Sequence, residues 1–281
     1  MISTKRRTSP VTLAILYTLL VLTVIFSMFP IYFVAQASLR PGQSLFSTQL
    51  QLLPTDATLE NFRYVLTELP LLRWIGNSLF VATMTTVLTL IITVSAGYAF
   101  SKFRFRGREG MLNGMLALQA FPGLLSLFAF YLILLRLGLL NNHWGLILIY
   151  SSGATVFNIF NLKGYFDTIP SDLEEAAMID GATPTQAFFM IMLPLARPAI
   201  AVTALFGFLA GFGDFIVAQT VLYDEQLYTA PVGIFTLQDG YQTPWGWFAA
   251  SALIVSVPVT LLFLYLQRNL VSGLSSGAVK G

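Results

Sequence analysis

Six long apolar runs decide what this chain can fold into. They cover about Val11–Ala35, Ile75–Ala99, Met111–Leu135, Trp144–Leu162, Ala196–Leu222 and Trp247–Leu266. A helix needs roughly 20 apolar residues to cross the hydrocarbon core of a bilayer. Lipid leaves no partner for exposed backbone N–H and C=O groups, so runs of this length have to be helical. A membrane barrel would instead show alternating segments of about ten residues, and none is visible. Only 10% of the 281 residues are charged, against 56% apolar. A soluble domain carries about 25% charged residues, so most of this surface is expected to face lipid. The expectation is an all-α membrane protein with six transmembrane helices.

Charge sets the orientation. Lys5, Arg6, Arg7, Lys102, Arg104, Arg106, Arg108, Lys163, Arg197, Arg268 and Lys280 fall on one side of the six spans, and only Arg40, Arg63, Arg73 and Arg136 on the other. Cytoplasmic loops carry the excess of Lys and Arg, so both termini are expected in the cytoplasm. Lys5–Arg7 before an apolar run also resembles the start of a signal peptide. The run is longer than a signal core and no A-x-A-like site clearly follows it, so it reads as a retained first span. The net charge of +2 is too small to suggest nucleic-acid binding. No Cys is present and His143 is the only His. Thiolate metal centres, disulfides and a multi-His site within this chain are therefore excluded.

The polar interruptions carry the remaining information. Outside, Leu59, Phe62, Leu66 and Leu69 are spaced as one face of a short helix, with Asp56 or Thr58 as its cap. The segment Tyr223–Trp245 holds Asp224, Glu225, Tyr228, Asp239 and Tyr241. It reads either as a contact for a partner or a sugar, or as a solvated connection with interfacial aromatics. Inside, Ser171 and Glu174 have the spacing of a capping box, with Pro170 just before it. Gly181 suits a left-handed helix end. Thr183 and Gln186 make a second box, with Pro184 at the first helical position. This predicts a short helix, a sharp turn and a second helix, with Pro194 and Pro198 bending or restarting the backbone. Ala176 and Ala177 would let another backbone approach closely, and Glu174, Glu175 and Asp180 offer charge. Capping alone fits an ordinary surface loop somewhat better than a partner's grip.

Several further positions stand out within and beside the spans. Asp214 is an acid inside the fifth span, and an intramembrane carboxylate is costly enough to suggest function. It reads as a group on the substrate path or as a bonded carboxylate at a helix break near Gly211 and Gly213. Pro122 and Gly123 should bend the third span. Gly114, Gly153, Gly207, Gly211 and Gly213 suit close helix contacts. His143, after Asn141 and Asn142, reads as an interfacial polar residue.

Glu175-Ala176-Ala177, three residues, Gly181, nine residues, and Ile191-x-Leu193-Pro194 together resemble the EAA signature of ABC-importer permease subunits at every fixed position. Asn77-Ser78, Gly97-Tyr98-Ala99-Phe100, Phe105-Arg106-Gly107-Arg108, Leu137-Gly138-Leu139-Leu140-Asn141 and the C-terminal Gly277–Gly281 resemble the carbohydrate branch of that family. Gln119-Ala120-Phe121-Pro122, Leu125-Ser126-Leu127 and Lys163-Gly164-Tyr165-Phe166 resemble its smaller maltose/maltodextrin permeases. The Trp-Asn-acid triplet common in the branch is Phe212-Gly213-Asp214 here, keeping only the acidic position.

The resemblance implies one permease domain over 1–281 in a prokaryotic inner membrane. Within it, 171–194 would be a cytoplasmic coupling loop, and 37–74 and 223–246 external loops. Glu174, Glu175, Ala176, Ala177, Asp180, Gly181 and Pro194 would dock on an ABC ATPase dimer. A second, related permease and an extracytoplasmic sugar-binding protein would complete the importer, and the C-terminal tail would lie near the ATPase dimer interface. The sugar would be maltose, maltodextrin or a related oligosaccharide. Another ABC substrate, or ion-coupled secondary transport, is the alternative. The chain is expected to be a transport subunit with no cofactor and no ATPase site. A phosphate-binding loop needs Gly immediately before Lys, and the four lysines follow Thr4, Ser101, Leu162 and Val279. Ion coupling should show several intramembrane ionisable groups or repeated broken helices; one acid and no clear repeat are found. An intramembrane enzyme would need a nucleophile–His or carboxylate pair at membrane depth, and Asp214 is unpaired within this chain.

Overall fold

The computed structural model describes residues 9–42, 56–240 and 242–277. Lys5, Arg6, Arg7, Tyr241 and the tail Ala278–Gly281 lie outside the described residues. Among the described residues every regular element is helical. In chain order these are α1 (Pro10–Leu39), α2 (Glu60–Thr67), α3 (Leu71–Lys102), α4 (Arg108–Gln119), a 3-10 turn (Gly123–Ser126) and α5 (Leu127–Leu137). Then come α6 (His143–Thr168), α7 (Asp172–Ile179), α8 (Pro184–Ala187), a π-helical turn (Phe188–Met192) and α9 (Leu193–Leu195). The last are α10 (Arg197–Gly213), α11 (Ile216–Val221), a 3-10 turn (Glu225–Leu227), α12 (Ala230–Phe235) and α13 (Trp245–Gly277).

Four of these helices are each long and apolar enough to cross a membrane: α1, α3, α6 and α13 over Trp245–Gln267. A fifth candidate is the pair Pro184–Leu195 and Arg197–Gly213, bent by 76°. The third expected span is not one helix. Pro122 has no N–H for the carbonyl of Leu118, and it pushes Phe121 away from helical geometry. The chain therefore breaks after Gln119 and restarts through the 3-10 turn as α5. The fifth expected span, Ala196–Leu222, also divides. Asp214 is extended (φ −75°, ψ 137°) between α10 and α11.

The described residues form two compact units. The first combines Met1–Leu69 with Leu237–Ile254. Here α2 differs from its sequence reading. Asn61 and Val65 are buried, while Leu59 and Leu66 are exposed. The Asn61 amide donates to the carbonyls of Ser38 and Arg40 at 2.9 Å each, satisfying groups at the C-terminal end of α1. That polar lock, which apolar spacing cannot signal, turns α2 over. Gly246 lies against it: a Cβ there would come within 2.7 Å of the Asn61 amide nitrogen. Tyr64 stacks on Trp247 at 3.7 Å. The expected cap is partly right, since the Thr58 hydroxyl accepts from the Glu60 N–H at 3.1 Å.

The second unit combines Pro70–Thr236 with Val255–Gly281. Its axis is α3, packed against α6 and α10. Ser78, Ala82, Thr85, Thr89, Thr93 and Gly97 are buried along α3. Small residues at this spacing let backbones approach where lipid offers no hydrophobic drive between helices. Gly207 and Gly211 of α10 meet this stripe. A Cβ on Gly211 would sit 2.7 Å from the Ala82 Cα, and one on Gly207 3.2 Å from the Thr86 Cα. Gly114, Gly153 and Gly213 have open space instead, so the expectation of close packing holds for two of the five.

Candidate functional site

The polar loop begins where α6 stops. Ile169 is extended, as a residue before Pro170 must be. Lys102 donates to the Ile169 carbonyl at 2.7 Å. Asp167 pairs with Lys163 at 2.6 Å and accepts from the Ser101 hydroxyl at 2.7 Å. The last turns of α3 and α6 are thus tied together, and α7 projects from a fixed base.

The first expected capping box does not form. Ser171 takes right-handed helical geometry (φ −67°, ψ −26°) and its hydroxyl makes no cap bond. Glu174 is recruited elsewhere. It is buried, and its carboxylate accepts from the Tyr98 hydroxyl of α3 at 2.6 Å. Tyr98 is held between rings of Phe103, Phe166 and Phe188. Such a partner is 76 positions away in the chain, beyond the reach of local spacing. The second box forms as expected. Thr183 accepts from the Gln186 N–H, and the Gln186 side chain accepts from the Thr183 N–H. Between them Gly181 has φ +94°, a left-handed conformation that favours glycine. The Ala182 N–H closes the turn on the Ala177 carbonyl at 2.9 Å.

Past the turn, α8, the π-helical turn and α9 run back toward α10. Pro194 and Pro198 flank the 76° bend, and Pro198 sits in the first turn of α10. Met192, Ala196 and Ala199 are buried with Leu162, Phe166 and Ile169. The base of the loop is therefore an apolar clamp between α6 and the segment leading into α10.

The candidate docking residues divide by exposure. Glu175, Ala176, Asp180 and Gly181 are exposed, Ala177 and Pro194 are half-buried, and Glu174 is buried. Sequence reasoning passed over three apolar neighbours. Leu173 is 43% exposed, Met178 41% and Ile179 85%. Large apolar side chains presented by a short polar helix are what an interaction surface needs. Their signal was apolar residues retained in an otherwise charged loop.

Asp214 sits at the break between α10 and α11. Its Oδ1 accepts from the Tyr150 hydroxyl at 2.8 Å, the Val217 N–H at 2.9 Å and the Ala218 N–H at 3.3 Å. The carboxylate therefore caps α11, while Oδ2 has no partner among the described residues. Tyr150 is a buried residue of α6 that apolar patterning did not single out.

The segment after α11 is fixed by side chains. Trp74 donates to the Glu225 carbonyl, and Asn77 to the carbonyls of Gln226 and Tyr228. Ser78 accepts from the Ala230 N–H. Asn141, at φ +53°, accepts from the N–H groups of Tyr223 and Asp224. His143 Nε2 lies 2.8 Å from the Leu227 carbonyl, which can only accept, so this nitrogen carries the proton. The Asn77-Ser78 and Asn141 motifs thus share one task, holding residues 223–230.

Comparison with known proteins agrees with this architecture. The family model described as "binding-protein-dependent transport system inner membrane component" matches residues 89–276. The chain is 40% identical over 269 residues to the galactooligosaccharides transport system permease protein GanQ of Bacillus subtilis, covering 94% of each. It is 37% identical over 266 residues to the maltodextrin transport system permease protein MdxG of the same organism, covering 94% of this chain and 95% of the relative. Identity to the maltose/maltodextrin transport system permease protein MalG of Salmonella typhimurium is 39% over 273 residues, covering 90% and 91%. The fold is shared with a crystal structure of a bacterial ABC transporter involved in import of the acidic polysaccharide alginate. There the TM-score is 0.79 at 24% identity, covering 94% of this chain and 99% of that one. The chain belongs to the family of inner membrane components of binding-protein-dependent transport systems.

Proposed function

We propose that this chain is a permease subunit of an ATP-driven importer for maltose, maltodextrin or a related oligosaccharide. It works with a second permease, a cytoplasmic ATPase dimer and an extracytoplasmic binding protein that delivers the sugar. ATP-driven closure of the ATPase moves α7, and the spans follow. The observation that carries this reading is the exposed tip of the loop on a clamped base. Glu175, Ala176, Met178, Ile179, Asp180 and Gly181 are available to a partner, while Met192, Ala196 and Ala199 are packed against α6. Force applied at the tip would pass into α10 instead of deforming the loop. Glu174 and Pro194 serve the docking site from within, by fixing α7 to α3 and by shaping the bend. Ala177 supports the exposed face.

In this reading the chain crosses the membrane six times, with both termini cytoplasmic. The six crossings are α1, α3, the broken α4–α5 segment, α6, the α10–α11 segment and α13. The outer segment 223–230 faces the binding protein. Asp214 contributes Oδ2 to the substrate path.

Reconstitution tests the reading. Vesicles holding the full importer should take up labelled maltodextrin when ATP and binding protein are supplied. Omitting the ATPase, the second permease or the binding protein should abolish uptake. Uptake by this chain alone, driven by an ion gradient, would overturn the reading. Galactooligosaccharide tested in parallel, against the sugar bound by the cognate binding protein, selects the substrate.

A further inference from the structure

A groove of about 620 Å³ opens between α3 and the bent segment that precedes α10. Leu90, Ile91 and Val94 form one wall, and Phe188, Phe189 and Leu193 the other. The volume lies within the range of small-molecule sites. At one position this apolar lining carries a cation, Arg197, which is exposed. Among the described residues no carboxylate lies within ion-pair reach of it. Arg197 is also one of the basic residues whose distribution marks the cytoplasmic side. A long apolar slot with one unpaired guanidinium matches an amphiphile with an anionic head. Guanidinium binds phosphate through paired N–H donors, and apolar walls suit an acyl chain.

We propose that this groove binds an anionic phospholipid of the cytoplasmic leaflet, its phosphate on Arg197 and one acyl chain between α3 and the Phe188–Leu193 segment. The position gives the lipid a consequence. The groove takes lining residues from both limbs of the 76° bend, Phe188, Phe189, Leu193 and Pro194 on one side and Arg197 and Ile200 on the other, so a lipid there steadies the link between the polar loop and α10. The inference rests on the cytoplasmic placement of Arg197 in the proposed function, and not on ATPase docking.

The test is native mass spectrometry of the assembled importer, titrated separately with phosphatidylglycerol and phosphatidylcholine. Phosphatidylglycerol should bind the more tightly. A basic side chain near a membrane surface contributes about 1 kcal/mol toward anionic lipid. Arg197→Gln should therefore weaken phosphatidylglycerol about fivefold and leave phosphatidylcholine unchanged. Arg197→Lys should keep most of the preference. Val94→Trp, which fills the groove, should weaken both lipids. Equal binding of the two lipids to the unaltered complex, or an Arg197→Gln complex that still prefers phosphatidylglycerol to the full extent, would overturn the proposal. So would a Val94→Trp chain that no longer pairs with the second permease while lipid binding persists, since the groove would then belong to that subunit. ATPase retained in the unaltered complex reports separately on the docking reading.

Discussion

Tyr98 and Glu174 show how one long-range hydrogen bond can hold a short helix against the rest of the chain. The Tyr98 hydroxyl is the donor found for a carboxylate that α7 buries against the rest of the chain. Tyr98→Phe removes that donor and leaves the acid buried. The expected cost is about 1–3 kcal/mol, read as a lower thermal midpoint of the purified complex and weaker sugar-stimulated ATP hydrolysis. Glu174→Gln keeps an acceptor for the hydroxyl and should be milder. Asp214 poses the complementary question. Asp214→Asn preserves an oxygen for Tyr150, Val217 and Ala218 and changes the group at Oδ2. If Oδ2 meets the sugar, uptake falls severalfold with an unchanged thermal midpoint. Unchanged uptake and ATPase coupling would leave Asp214 as the cap of α11 alone.

At the scale of elements, two glycines of α10 can be separated from one that only resembles them. Gly211→Ala places a methyl group 2.7 Å from the Ala82 backbone, and overpacking of this kind costs about 1–3 kcal/mol. Gly153→Ala meets nothing within 4 Å and should be neutral or slightly stabilising. Thermal melts of the two variants, compared side by side, check the close approach of α10 to α3. Thr183→Ala removes the formed capping box and should cost about 1 kcal/mol, read in the same assay. The two boxes also mark the limit of local reading. Thr183 and Gln186 bond each other, so their spacing was sufficient. Ser171 and Glu174 have the same spacing, but Tyr98 competes for the carboxylate. On α2, likewise, apolar spacing pointed to Leu59 and Leu66, while Asn61 decided which face is buried by bonding the end of α1. The break at Pro122 and the turn at Gly181 were legible because each rests on the backbone properties of one residue. Ile179 was not, because its exposure is defined only once α7 has been turned by Glu174.

For the molecule as a whole, long apolar runs were enough to announce an all-helical membrane protein, but not how those runs divide. Two of the six are broken, at Pro122 and at Asp214, and the breaks fall where polar or proline residues interrupt the hydrogen-bond ladder. The second unit has α3 as its axis, with α6 and α10 packed on it. The polar loop joins those two helices on one side, and residues 223–230 are fastened to α3 and to the turn before α6 on the other. In the proposed function, a push on α7 therefore reaches helices that also hold residues 223–230. The most direct test of that account is at Gly181, whose φ of +94° costs an L-residue about 1–2 kcal/mol and whose turn sets the angle of α7. Gly181→Leu should leave the two permeases paired, release the ATPase during co-purification and abolish sugar-stimulated ATP hydrolysis. A Gly181→Leu complex that retains the ATPase and hydrolyses ATP at the full sugar-stimulated rate would contradict it.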